Sequence, residues 1–295
     1  MRTKRHADRC ADDGLAAHYT SPPARNNPEP RRMEALGQAM RDPTSILITG
    51  ASGGIGAELA RAYARPGTHL ALTGRDARRL QQVGGDCRSV GAAVTTAIRD
   101  VTDADGLRTW IAAVDEDHPL DLVIANAGIS GGTGGGTVGG GDLTRTRAIF
   151  AVNLDGVINT VMPIIGPMRR RGAGQIAIMS SLAGLGGFPG APAYCASKAA
   201  VRIWGEALRG ALAGAGIVVT VICPGFIRTP MTAANTFPMP LIMDAEAAAR
   251  LIKRRLARQP ARIAFPWPLY FGAWLAGALA PRFTERLLRR GAARI

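Results

Sequence analysis

Ser45-Ile46-Leu47-Ile48-Thr49-Gly50-Ala51-Ser52-Gly53-Gly54-Ile55-Gly56 carries an apolar, β-branched run straight into a turn with four glycines. Ala57-Glu58-Leu59-Ala60-Arg61-Ala62-Tyr63 follows with the composition of a helix. The first five residues read as a buried strand. A strand that feeds a helix through glycines is suited to an anion. Gly50 and Gly56 let the backbone bend sharply and let a pyrophosphate approach the helix N-terminus. Ser52, Gly53 and Ile55 complete the candidate contacts of the turn. A lone glycine-rich turn says little, but one set between strand and helix points to a dinucleotide.

A second strand, 68–73, ends in Gly74-Arg75. Sites that take NAD place a carboxylate about 20 residues past the glycines, for the ribose 2′-hydroxyl. Gly74 holds that place here, and Arg75 offers a guanidinium that suits a 2′-phosphate. The sequence therefore favours NADP(H) over NAD(H). Asp76 next door, and the lack of a basic residue at Gly53, pull the other way.

Further outward, strand-like runs alternate with helical segments as far as Pro266. That alternation predicts an α/β fold: one Rossmann-like, doubly wound domain, its sheet of about seven parallel strands covered by helices on both faces. In 295 residues this leaves room for one large domain and two tails. Residues 45–266 are the dinucleotide-binding and catalytic unit. Residues 1–44, rich in Pro and mixed charge, read as a disordered arm with no secretory signal. Residues 267–295 form a basic, aromatic-rich extension.

Tyr194-Cys195-Ala196-Ser197-Lys198 is the second informative stretch. On a helix, a Tyr and a Lys four apart share one face. An ammonium there is expected to pull the phenol pKa down toward the working pH, making Tyr194 a proton donor or acceptor. Such a pair by itself more often marks an ordinary helix surface.

Together these stretches resemble the short-chain dehydrogenase/reductase family in its compact form. The resemblance runs from about Ser45 to Pro266. Thr49-Gly50-Ala51-Ser52-Gly53-Gly54-Ile55-Gly56 is similar to the family's cofactor turn, and Asp100-Val101 to the pair that flanks the adenine. Ala125-Asn126-Ala127-Gly128 is similar to the segment that stabilises the sheet and touches the cofactor. Asn153 matches the active-site Asn. Ser181, thirteen residues before Tyr194, matches the catalytic Ser in preference to Ser180. Pro224-Gly225-Phe226-Ile227-Arg228-Thr229 resembles the nicotinamide segment, with Ile227 and Thr229 as contacts.

The resemblance implies hydride transfer between a ketone or aldehyde and an alcohol. Ser181 and Tyr194 would hold the substrate oxygen, and Tyr194 would move the proton. Lys198 would grip the nicotinamide ribose, and Asn153 would fix a water behind Lys198. It also implies a homo-oligomer, dimer or tetramer. A catalytically idle redox sensor or a membrane-surface scaffold is the alternative, and the presence of all four residues argues against it.

The remaining signals bound the picture. Cys10, Cys87, Cys195 and Cys223 form no Cys-x-x-Cys pair and, with the scattered histidines, no legible metal site. They fit a reducing, cytoplasmic setting. Eight of the eleven residues 131–141 are glycine, either a flap beside the site or a tolerated insertion. Of the net charge of +14, residues 250–295 supply eleven basic groups against one acid, Glu285. Within them 263–281 are uncharged and include Trp267, Tyr270, Phe271 and Trp274. Prolines 266, 268 and 281 confine the expected helix to 269–280, too short to span a bilayer. Three readings stay open for the extension: a lid or subunit contact, a peripheral membrane anchor, and a solvated basic helix. A nucleic-acid partner is not expected, since no recognition motif accompanies the charge. The substrate is expected to be a small, apolar carbonyl compound or alcohol.

Overall fold

Seven parallel strands in the order β3-β2-β1-β4-β5-β6-β9 form the centre of the molecule. The computed structural model describes residues 42–130, 143–188, 190–235 and 237–279. The chain alternates β1 (Ser45–Thr49), α1 (Gly54–Tyr63), β2 (His69–Gly74), α2 (Ala77–Ser89), β3 (Ala93–Ile98), α3 (Ala104–Asp117) and β4 (Leu122–Ala125). A long helix then passes through α4 (Leu143–Phe150), a π-helical turn (Ala151–Asp155) and α5 (Gly156–Arg171). β5 (Gly174–Met179), a 3₁₀ turn (Leu182–Leu185), α6 (Pro192–Leu212) and β6 (Ile217–Pro224) follow. After β6 come β7 (Ile227–Arg228), α7 (Pro230–Ala233), β8 (Met243–Asp244), α8 (Ala245–Leu256), β9 (Arg262–Phe265) and α9 (Trp267–Ala278). The expected doubly wound α/β sheet is the one found.

Strand periodicity explains the two cores. In β1, Ile46 and Ile48 face one side, with Leu59, Leu70, Leu72, Ile252 and Leu256. Leu47 faces the other, with Ile111, Val123, Ile176, Ile178 and Val201. Successive side chains of a strand point to opposite faces, so one unbroken apolar run supplies both layers. Asp76 and Asp103 cap α2 and α3 by accepting from the backbone N–H of Arg79 and Gly106.

The order of the strands places the site. Successive strands are added leftward from β1 to β3 and then rightward from β4, so β1 and β4, which pair directly in parallel, mark the switch in strand order. In open α/β sheets a crevice opens at the carboxyl ends beside such a switch point.

Several sequence boundaries shift. β7 pairs with β8 in a small second sheet that local pattern did not mark. The last helix begins at Trp267 rather than 269, because Pro266 is its N-cap and Pro268 lies in its first turn, where no backbone N–H is needed. Its Leu269, Tyr270 and Ala273 join Leu182, Val221 and Cys223 in a third, small cluster. The arm before residue 42, the glycine-rich run 131–141 and the basic end 280–295 lie outside the described residues.

Candidate active site

A cleft of about 450 Å³ opens at the carboxyl ends of β1, β2, β4, β5 and β6. Gly50, Ser52, Gly53, Ile55, Arg75, Asp100, Val101, Asn126, Ala127, Gly128, Ser181, Tyr194, Lys198, Ile227 and Thr229 all line it. Gly56 and Asn153 do not. They sit behind its wall and shape it.

At the glycine turn the geometry is set by close approach. Gly50 has φ +68°, and a Cβ there would stand 2.8 Å from Ala127 Cα. A Cβ on Gly56 would overlap the Gly50 carbonyl oxygen and Asn126 Nδ2. Asn126 stitches the two strand ends together, its Nδ2 donating to Thr49 O at 2.9 Å and Gly50 O at 3.3 Å. Thr49 Oγ1 in turn accepts from the N–H of Asn126 and of Ala127. A Cβ on Gly53 would meet nothing within 4 Å, so the space over the start of α1 is open. An open cradle of backbone at a helix N-terminus fits a pyrophosphate.

The other end of the cleft is basic. A Cβ on Gly74 would come within 2.8 Å of Ser52 Oγ, so a carboxylate side chain has no room at that position. Asp76 is occupied twice, capping α2 and pairing with Arg79 at 3.2 Å. Arg75, Arg79 and Arg99 all line the cleft. The reading from sequence missed Arg79 and Arg99. Strand register would have found Arg99: Gly74 pairs with Ile98, which sets residues 75 and 99 side by side. Burial pushes the Asp100 carboxyl up, but hydrogen bonds from Thr102 and the Arg75 guanidinium outweigh it and hold the group below the usual range. Thr73 Oγ1, buried in the same wall, has no hydrogen-bond partner among the described residues.

At the third corner, β5 delivers Ser180 and Ser181, and α6 delivers Tyr194 and Lys198. Ser180 Oγ donates to Lys198 O at 2.7 Å and is spent on structure. Ser181 Oγ accepts from the Ala183 N–H at 3.1 Å and hydrogen-bonds the Tyr194 side chain. Lys198 Nζ lies 5.8 Å from the Tyr194 ring centroid and donates to Met179 O at 3.0 Å.

The expected depression of the Tyr194 pKa is corrected here. Burial raises it, with the Ser181 hydrogen bond pulling the other way. The same burial acts on Lys198, whose pKa is lowered to about 8.

Asn153 sits in the π-helical turn, fully buried. Its Oδ1 accepts from Ile129 N at 2.8 Å, and its Nδ2 donates to Ile129 O at 2.9 Å and Ser197 Oγ at 3.0 Å. Both ends of the amide are therefore in use, bracing the strand end at Ile129 against α6. π-Helical turns often mark functional positions, and this one aims Asn153 across the helix packing.

Comparison with known proteins gives the same direction. A sequence profile described as short chain dehydrogenase matches residues 44–238. An uncharacterized oxidoreductase of Myxococcus xanthus is 37% identical over 247 residues, covering 83% of this chain and 96% of its own. One from Mycobacterium tuberculosis is 36% identical over 249 residues, covering 82% and 96%. Among solved structures, a Sphingobium yanoikuyae short-chain dehydrogenase in complex with NADPH superposes with TM-score 0.68 at 26% identity, over 79% of this chain and 92% of its own. The actinorhodin polyketide ketoreductase with NADPH gives 0.68 at 25% identity, over 78% and 98%. With a profile match over most of its length and relatives aligned nearly end to end, this oxidoreductase belongs to the short-chain dehydrogenase/reductase family.

Proposed function

We propose that the protein is an NADP(H)-linked reductase that interconverts a small apolar ketone or aldehyde and its alcohol. One observation carries the reading: Ser181, Tyr194 and Lys198 meet at one corner of the cleft whose other corners are the glycine turn and the Arg75 end. The glycine turn, Asn126 and Thr229 would hold the dinucleotide. Arg75, with Arg79 and Arg99, would meet a 2′-phosphate, for which a cluster of guanidiniums is better suited than a single carboxylate. When bound, the nicotinamide supplies or takes up the hydride.

The side chains handle the oxygen and its proton. Ser181 Oγ orients the substrate oxygen, and Tyr194 Oη gives it a proton or takes one away. Burial keeps the Tyr194 phenol protonated at neutral pH, the form that can give a proton to a carbonyl oxygen. Lys198 stands behind Tyr194 as the source that reprotonates it. Asn153 acts as a positioning residue, holding Ile129 and α6 in register. Ile129, Val152, Met179 and Met231 give the cleft an apolar lining, which supports an apolar substrate. The buried free thiols Cys87, Cys195 and Cys223 suit a reducing cytoplasm, and family habit supports a dimer or tetramer.

The test is loss of NADPH absorbance across a panel of apolar ketones and aldehydes, with NADH in parallel. In Tyr194→Phe, kcat/KM is expected to fall by about a thousandfold or more, while NADPH affinity stays near wild type. Full turnover by Tyr194→Phe would overturn the assignment. Turnover with NADH alone would overturn the cofactor.

A further inference from the structure

We propose that the outward face of α9 is the surface on which this protein rests against an anionic lipid bilayer. Trp267, Phe271, Trp274 and Leu275 are 69%, 46%, 49% and 42% exposed. Spaced by four, three and one, they share one side of the helix. Their rings form a ladder: Trp267 and Phe271 are stacked with centroids 5.6 Å apart, and Phe271 and Trp274 are 6.0 Å apart. None of them lines the cleft.

The inner side of the helix explains why the outer one needs a partner. An interfacial helix normally keeps a polar face toward water. Here that side is taken by the protein itself, with Leu269, Tyr270 and Ala273 packed against Leu182, Val221 and Cys223. Residues 263–281 carry no charge at all. A monomer in water seldom leaves such a face uncovered. Twelve residues of helix make about 18 Å, against a hydrocarbon core of about 30 Å. The helix would lie along the membrane, not cross it.

Charge chooses between occupants. Arg282, Arg286, Arg289, Arg290 and Arg294 follow the helix in the sequence, against Glu285 alone. A second copy would bring a second segment of the same basic sequence and no acidic complement to it. Anionic headgroups supply the complement, and a sequence of aromatics followed by arginines suits headgroup depth.

The inference stands apart from the redox reading, and its test keeps the two separate. Full-length protein is sedimented with vesicles of phosphatidylcholine, alone or with about one third phosphatidylglycerol. Partitioning is expected to be about tenfold stronger or more on the anionic vesicles and to weaken with salt. The Trp267→Ser, Phe271→Ser, Trp274→Ser triple variant is expected to lose about tenfold or more. Its circular dichroism and its turnover of a water-soluble carbonyl should match wild type. Failure of the wild type to bind anionic vesicles would overturn the proposal, as would binding that the triple variant retains. A fall in oligomeric mass of the triple variant by light scattering, without vesicle binding, would assign the face to a second copy. Absence of turnover in both proteins would count against the redox reading alone.

Discussion

The glycine turn and the tail helix use the same device with different consequences. At each, a glycine lets a helix come against a backbone carbonyl: Gly56 against Gly50 O, and Gly277 against Leu185 O. Gly56 itself is buried, and its helix packs its inner side into the core. Leu59 and Ala60 are 0% exposed, and Asn126 holds the facing carbonyls from the next strand. Around Gly277 the helix has one side in a small cluster and the other in solvent, and Ala273 is its single buried residue. The approach at the turn is backed by the core and tied by Asn126, and the approach at the tail is not. A backbone contact is as rigid as the packing behind it, so the nucleotide end should behave as scaffold and the tail as an attachment.

The largest effect separates the two directly. Gly56→Ala has nowhere to put its methyl group, since both neighbours it meets are fixed in the strand-end network. It is expected to destabilise the fold by about 3 kcal/mol, the upper range for an overpacked core. NADPH affinity should fall by about a hundredfold, because relief requires the turn to move. Gly277→Ala also meets backbone, at Leu185 O, but only the helix end has to swing outward, so it is expected to cost less, about 1–2 kcal/mol. Urea unfolding and NADPH fluorescence titration measure both. Equal costs at the two positions would break the comparison and make the tail part of the core.

A second test uses Lys198, buried in the wall of the cleft on the scaffold side. Its folded pKa, lowered to about 8, lies below the unfolded value near 10.5. Between these values the unfolded chain binds the proton and the folded one does not, so stability rises with pH through that window. Below about pH 8 the folded state carries the full penalty of a buried ammonium. Relative to Lys198→Met, the wild type is therefore expected to gain about 2 kcal/mol between pH 7 and 9.5. The difference between the two proteins removes the contribution of groups they share. A flat difference would mean that the ammonium is as well solvated as in the unfolded chain.

The legibility of the sequence follows the same division. The strand, glycine turn and helix from Ser45 to Tyr63 are contiguous, so their geometry is written in local order. The spacing from Ser181 to Tyr194 likewise separated Ser181 from Ser180, whose hydroxyl proves to be bound to Lys198 O. Arg99 was hidden because it reaches Arg75 only through the register of β2 and β3. The direction of the Tyr194 shift was hidden because it turns on burial, which spacing along a helix does not reveal. Prolines 266 and 268 were read as stops but serve as a start, a distinction that depends on which N–H groups lack partners. What depends on neighbours in sequence was legible, and what depends on neighbours in space was not.

The smallest effect asks how firmly the tail is tied to the chemistry. Arg262 Nη1 donates to Tyr270 Oη at 3.2 Å, and the same guanidinium holds Glu206, with Nε at 2.9 Å from Oε1. Glu206 also accepts from Arg202 Nη1 at 3.1 Å, and Arg202 Nε donates to Gly184 O at 3.0 Å, in the turn that follows Ser181. A chain of polar contacts thus runs from α9 to the serine. Tyr270 is its last link, and it removes no partner that the others need: Arg262 keeps Glu206, and Glu206 keeps Arg202. Tyr270→Phe is therefore expected to cost about 1 kcal/mol or less, a fall in Tm of about 2–4 °C, with kcat unchanged. A matching loss of kcat would show that tension from the tail reaches Ser181 through Arg202, and the tail would then belong to the catalytic scaffold. An unchanged kcat beside a lowered Tm places the boundary between scaffold and attachment at Arg262.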